Sequence, residues 1–192
     1  MSSSMVRRGA LAVLAAAVMF LVAPIVNLIS PYQRGVFDSF SDYLYQLLVT
    51  VSFALITLAI AGLHALQSGS YGRWGTAGAS MTFVGYTIIV VVAAATLLAG
   101  ADVLLSVRLV GAAAILLGSI VLGVMTIRAR VLPWWCGVLI IVGFPLGVPP
   151  RRCLERPHKG GEAIVFAIVW GLVGWALLSR SGTLEERASR VS

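Results

Sequence analysis

The sequence predicts an all-α protein, a single bundle of six transmembrane helices that takes in residues 1–192, and three observations support this. Hydrophobic residues make up 59% of the chain and charged residues only 11%, whereas about 25% charged residues is usual in a soluble domain. The mean hydropathy is +0.99. The apolar residues also fall into runs near the length of about 20 residues that crosses a bilayer as a helix. The composition therefore argues against a soluble enzyme.

The first predicted span covers residues 9–29 and follows a short basic N-terminus that ends with Arg7 and Arg8. A basic start followed by an apolar run is also how a signal peptide begins. A retained helix is favoured because the run is long and because Pro24 directly follows Ala23, the best small-residue cleavage position.

The next three spans are predicted at 43–66, 75–99 and 103–127. A turn-rich link, 67–74, joins the first two of these, and Asp102 is predicted to cap the N-terminus of the fourth helix. Arg108 lies about one and a half turns inside that helix. Its guanidinium is close enough to the helix end to reach the lipid head groups.

The fifth apolar run is the weakest of the six. Its core, 134–148, contains Pro145 and is stopped by Pro149 and Pro150. The predicted span is 132–149, but so short a run is also typical of a segment that enters the bilayer and turns back. Five spans plus a re-entrant segment at 134–148 is therefore the alternative. The sixth span is predicted at 162–179, and a basic tail, 180–192, follows it.

The chain carries 14 Lys and Arg residues against 7 Asp and Glu residues. Most basic residues lie at the ends of apolar runs, where they can contact anionic lipid head groups and set the orientation; binding to nucleic acid is not indicated. Six spans with a cytoplasmic N-terminus place eight basic residues inside and six outside, and a re-entrant fifth segment places nine inside and five outside. The prediction is a multi-pass protein of the bacterial inner membrane with its N-terminus in the cytoplasm.

Polar side chains within the predicted spans are mostly hydroxyls, and no ionisable residue lies deep in a span, so ion-coupled transport is not indicated. Ser and Thr hydroxyls usually hydrogen-bond to the backbone of their own helix or across helices. Three of them, Thr57, Thr82 and Thr87, could instead line a polar path between the second and third spans. His64, near the end of the second span, is interpreted as an interfacial histidine.

Small residues indicate where helices approach each other closely. Gly78, Thr82 and Gly85 share one face of the third span, and the fourth and fifth spans carry further small residues four positions apart. Packing within the chain is the first interpretation of these faces, and a homodimer interface is the second. Trp170 and Trp175 are predicted to be outward-facing anchors on the last helix.

The segment 151–162 is the most polar part of the chain. Contact with lipid phosphate groups is predicted for its four basic residues, Arg151, Arg152, Arg156 and Lys159. The same segment contains Cys153 and His158, but one Cys and one His lack the spacing of a zinc site. The sequence predicts no metal, no cofactor and no catalytic residue.

Residues 128–147, RARVLPWWCGVLIIVGFPLG, combine a basic turn, a Leu-Pro pair followed by two Trp, and an apolar run that contains glycine. The segments GLHALQSGSYGRWG and WGLVGWALLSR complete this layout. It resembles small, uncharacterised bacterial polytopic membrane proteins. The resemblance implies six spans and brings no activity that could be assigned to any residue.

The sequence thus favours a non-enzymatic helical bundle that interacts with membrane lipids or with a partner, which is either a second copy of the chain or another membrane protein. A carrier or channel for a small neutral or apolar solute is the alternative, with Thr57, Thr82 and Thr87 along its path. A membrane enzyme that uses His64 or His158 is the third hypothesis.

Overall fold

A computed structural model describes residues 3–29, 37, 39–99, 104–147 and 161–189, with side chains described at 4–26 in the first helix and at 163–182 in the last. These residues form six α-helices and no strand, which confirms the predicted all-α fold. The helices are α1 (Ser3–Ile29), α2 (Phe40–Gln67), α3 (Gly72–Ala99), α4 (Leu105–Ala129), α5 (Trp134–Gly147) and α6 (Gly161–Ser189).

Five of the six helices, all except α5, are long and apolar enough to cross a membrane. The shortest of these five, α4, has 25 residues and is about 37 Å long, which exceeds the thickness of about 30 Å of a bilayer's hydrocarbon core. In contrast, α5 has only 14 residues, or about 21 Å. It is too short to cross that core by itself.

Several helix ends differ from the predicted spans. Helix α6 continues to Ser189, so most of the predicted tail is helical. Helix α4 begins at Leu105, and its N-cap is Leu104, which has a φ of 56° and no side-chain cap hydrogen bond. The prediction that Asp102 caps this helix is therefore wrong, and Asp102 itself lies outside the described residues. Helix α2, in contrast, starts with a capping box between Ser39 and Asp42.

The helices form a closed ring, because each packs against its neighbours in the chain and α6 also packs against α1. Gly174 of α6 lies beside Val13 of α1, and Gly171 lies beside Ala17, so α6 runs antiparallel to α1. A re-entrant fifth segment would leave these two helices parallel. The observed direction favours the six-helix layout. The start of α1, the turns 68–71 and 130–133 and the end of α6 form one end of the bundle, here called the N-terminal face.

Helix α5 reaches only about halfway across the bundle. It starts beside the end of α4 and runs back along it, with Gly137 packed against Gly123. Gly147 lies ten residues, or about 15 Å, further along α5, which is level with the middle of α4. At this depth Gly147 packs against the ring of Phe166 in α6. The chain therefore leaves α5 at the middle of the bundle.

The face of α3 that carries Gly78, Thr82 and Gly85 packs closely on α4, as its small residues predict. A β-carbon placed on Gly78 would lie 2.7 Å from the backbone nitrogen of Leu122. A β-carbon placed on Gly118 would lie 2.6 Å from the backbone nitrogen of Thr82. The two backbones are thus in near contact, which only small residues permit.

Glycines also set the spacing at the other interfaces of the ring, with one exception. A β-carbon on Gly9 of α1 would lie 3.0 Å from the Cα atom of Gly62 in α2. Similar close approaches join α4 to α5, α5 to α6 and α6 to α1, at Gly137, Gly147 and Gly174. No described glycine makes such a contact between α2 and α3, so these two helices are held further apart.

Aromatic rings fill the centre of the ring of helices. Phe20, Phe53 and Phe166 come from α1, α2 and α6, and their ring centroids are 5.4–5.7 Å apart. Tyr86 of α3 continues this layer, 5.9 Å from Phe53 and 6.1 Å from Trp170. Phe53 and Tyr86 lie at the midpoints of their helices, so the layer lies at mid-depth.

The two tryptophans of α6 have different environments. Trp175 is 60% exposed, which confirms that it faces outward. Trp170 is only 5% exposed and packs edge-to-face on Tyr86, so the prediction of an outward-facing Trp170 is wrong. The indole ring of Trp170 belongs to the aromatic layer because this side of α6 faces α3.

Candidate functional site

The three threonines of the predicted polar path do not line a common space. Thr82 is 1% exposed, packs on α4 and donates to the carbonyl of Gly78 at 2.8 Å. Thr87 is exposed at the surface of α3, and its hydroxyl donates to the carbonyl of Phe83 at 2.9 Å. Thr57 is buried in α2 and donates to the carbonyl of Phe53 at 2.9 Å. Each hydroxyl thus bonds to its own helix.

The four basic residues predicted to contact lipid phosphates, Arg151, Arg152, Arg156 and Lys159, lie outside the described residues. Cys153 and His158 lie in the same segment, between the end of α5 and the start of α6. The predicted head-group contact at these residues stays a prediction.

The described part of the chain contains a groove between α2 and α3, with a volume of about 310 Å³. It lies at the interface where no described glycine brings the two helices into close contact. The small side chains of Ala61 and Ala79 leave space between these helices. The residues that line it are Ile60, Ala61 and His64 from α2, and Ala79, Ser80, Phe83 and Val84 from α3. Only two of these seven side chains, His64 and Ser80, are polar.

The groove runs inward from the N-terminal face. His64 lies three residues before the end of α2, and Val84 lies twelve residues into α3, so the groove reaches about 18 Å below the turn between the helices. Ser80, Phe83 and Val84 are exposed on the outer surface of the bundle. The groove therefore opens on the outer surface of the bundle, with its polar end toward the N-terminal face and its apolar end toward mid-depth.

The polar end of the groove is organised by Tyr71, which lies in the turn after α2. The hydroxyl of Tyr71 is 2.5 Å from Nδ1 of His64. The Tyr71 ring lies over Gly75 at the start of α3, where any β-carbon would collide with it. Gly72 has a φ of 63°, a left-handed conformation that favours glycine. Two glycines thus let the turn fold Tyr71 back onto His64.

Tyr71 is almost fully buried, with 3% of its surface exposed. This burial raises the pKa of Tyr71 to about 12, because the charged phenolate loses its hydration. The phenol therefore keeps its proton at neutral pH. His64 is half-buried and forms part of the groove wall.

The sequence interpretation named His64 but missed the groove and its link to Tyr71. A run of small residues across positions 61–80 marks both helices, yet the same composition occurs at the tightly packed interfaces. The positions of the glycines around each helix determine which of its small residues face a gap. No known protein family, curated protein or solved structure matches this chain.

Proposed function

We propose that this chain is a non-enzymatic, multi-pass protein of the bacterial cytoplasmic membrane that holds a membrane lipid in the groove between α2 and α3. The groove itself carries the proposal. It opens sideways to the region that a bilayer occupies, and five of its seven lining side chains are apolar. In a bilayer such a space is filled by an acyl chain, because leaving it empty forfeits van der Waals contacts.

The packing of the bundle supports a bound lipid over a transported solute. Aromatic rings close the centre at mid-depth, and the hydroxyls of Thr57, Thr82 and Thr87 bond to their own helices. A solute path would need polar groups that are free to face it. The groove offers its polar groups to a ligand that arrives from the side.

The distribution of arginine supports a cytoplasmic N-terminal face. Among the residues whose side chains are described, the arginines on that face are Arg7, Arg8, Arg73, Arg128, Arg130 and Arg180. At the opposite end the described side chains include one arginine, Arg108, in the first turn of α4. Loops rich in Lys and Arg stay in the cytoplasm during insertion.

Native mass spectrometry of the full chain, released from mild detergent with phosphatidylglycerol present, tests this function. Ser80→Phe fills the groove from its exposed side, and Thr87→Phe is the matched control, an exposed hydroxyl of the same helix outside the groove. We expect wild type and Thr87→Phe to retain one lipid under activation that strips weaker adducts, and Ser80→Phe to lose it. Equal retention by both variants, or no retained lipid in the wild type, would contradict the proposal.

A further inference from the structure

The Ser80 hydroxyl of the groove differs from most hydroxyls of α3; among the described residues of that helix, the buried Thr96 also has a hydroxyl without a partner. On α3, the hydroxyls of Thr76, Thr82 and Thr87 each donate to the carbonyl four residues earlier. Ser80 lies on the same helix, but its hydroxyl makes no hydrogen bond within the described part of the chain. Ser80 therefore has a hydrogen bond to offer to whatever occupies the groove.

The contact with Tyr71 fixes which nitrogen of His64 carries a proton. Tyr71 is buried and protonated, and in the described residues His64 Nδ1 is the hydrogen-bond partner of its hydroxyl. If Nδ1 carried the proton, the phenolic O–H would be left as a buried donor without an acceptor, which is unfavourable. The phenol therefore donates to Nδ1, and the proton of the neutral imidazole lies on Nε2.

Nε2 is on the opposite edge of the imidazole from the Tyr71 contact. As His64 forms part of the groove wall, its Nε2–H and the Ser80 hydroxyl are two hydrogen-bond donors in an otherwise apolar space. A donor in such surroundings requires an acceptor. His64 is one turn below the end of α2, just beneath the head groups, where the acceptors of a glycerolipid are its ester carbonyl oxygens.

We propose that the groove selects ester-linked lipids, with an acyl carbonyl oxygen accepting a hydrogen bond from His64 Nε2 and a second hydrogen bond coming from Ser80. This inference rests on the proposed function, because it names the ligand class of the same groove. Tyr71 is then a positioning residue, which sets the tautomer of His64 and does not touch the lipid. The head group contributes little, because the recognised atoms lie below it.

A competition between two phosphatidylglycerols of equal chain length, one ester-linked and one ether-linked, tests the selection by native mass spectrometry. The ether lipid fills the same volume but lacks the carbonyl acceptors. We expect the wild type to retain the ester lipid about 25-fold better, because each of the two neutral hydrogen bonds, at about 1 kcal/mol, gives a factor of about five. His64→Phe keeps an aromatic ring in the wall without the donor and should lower the ratio to about fivefold, the contribution that Ser80 still makes.

Ser80→Ala provides a second variant, because this exposed side chain can be shortened without disturbing the core. It should lower the ester preference while the lipid is still retained. Nitrogen-15 NMR of histidine-labelled His158→Gln protein, in which His64 is the only histidine left, should show Nε2 protonated and Nδ1 unprotonated. Tyr71→Phe should produce a mixture of the two tautomers.

Failure of this inference can be distinguished from failure of the proposed function. Equal retention of ester and ether lipids, with Ser80→Phe still abolishing retention of both, overturns the ester selection and leaves the lipid-binding groove in place. A proton on Nδ1 of His64 in the wild type also overturns the selection. Loss of all lipid from the wild type overturns both proposals.

Discussion

Thr126 of α4 donates a hydrogen bond from Oγ1 to Oε1 of Gln67 at the end of α2, at 3.1 Å. Both residues are completely buried. The bond joins two helices that flank α3, near the N-terminal face, and Nε2 of Gln67 has no partner among the described residues. Only the oxygen of this buried amide is hydrogen-bonded. The two partners of the pair therefore contribute unequally to stability.

Removing the hydroxyl of Thr126 leaves both polar atoms of Gln67 without a partner. We therefore expect Thr126→Val, which preserves the shape of the side chain, to lower the free energy of unfolding by about 1–2 kcal/mol. Gln67→Met removes the unpaired nitrogen of the amide, and the Thr126 hydroxyl that loses its acceptor can turn to a carbonyl of its own helix, so stability should change by less than about 0.5 kcal/mol. Unfolding in mixed micelles with increasing mole fraction of sodium dodecyl sulfate measures both. A larger loss in Gln67→Met than in Thr126→Val would refute this reading of the pair.

The contact of Gly118 with Thr82 predicts a second effect. A methyl group at position 118 would lie 2.6 Å from the Thr82 backbone nitrogen, so α3 and α4 must separate to admit it. Gly118→Ala should therefore destabilise the protein by about 1–3 kcal/mol, as measured by the same micellar titration. Gly182→Ala is the control, because a β-carbon there meets nothing within 4 Å. It should be neutral or stabilising by up to about 1 kcal/mol, since alanine is the better helix former.

The aromatic layer predicts a third effect. Phe166 is 3% exposed and contacts the rings of Phe20, Phe53 and Phe144. Phe166→Ala opens a cavity at the centre of the ring and should cost about 3–5 kcal/mol, seen as a lower Tm in detergent. Phe40→Ala, at a side chain 82% exposed at the start of α2, should stay within about 0.5 kcal/mol of the wild type. Similar Tm values for the two variants would mean that the layer does not hold the helices together.

The orientation of the bundle predicts a labelling pattern. Ser70 is exposed in the turn between α2 and α3 on the N-terminal face. Cys136 is completely buried, so its thiol is shielded from the labelling reagent. In a Cys153→Ser background, we expect Ser70→Cys to be spared by an impermeant maleimide in intact cells and modified after permeabilisation. In the otherwise native chain, Cys153 should be modified in intact cells. Labelling of Ser70→Cys in intact cells would place the N-terminal face outside.

Most of the fold could be predicted from the sequence. Runs of apolar residues, broken by turns and charges, gave the six helices, because a helix in a bilayer must satisfy its own backbone hydrogen bonds. The small-residue face of α3 was predicted as well, since Gly78, Thr82 and Gly85 recur at helical spacing. The start of α4 at Leu105 differs from the predicted residue 103, because Asp102 has the side chain of a good capping residue whereas the N-cap of the helix is Leu104.

The candidate site could be predicted only in part. His64 was noted, but its contact with Tyr71 depends on Gly72 and Gly75, which fold the turn back onto α2. The polar path was inferred from the residue types of Thr57, Thr82 and Thr87. Their hydroxyls bond to their own helices, and residue type alone does not show which way a helix is turned.

The sequence by itself determined the scarcity of charge, the helices and their approximate ends, because these depend on local hydropathy and backbone hydrogen bonding. Only the tertiary structure decided that Trp170 is buried, that α5 stops at mid-depth and that a groove remains between α2 and α3. The physical reason is that lipid tails are as apolar as leucine. Hydrophobicity therefore does not distinguish the face of a helix that meets lipid from the face that meets another helix. The shapes of the side chains determine which face packs against a neighbouring helix.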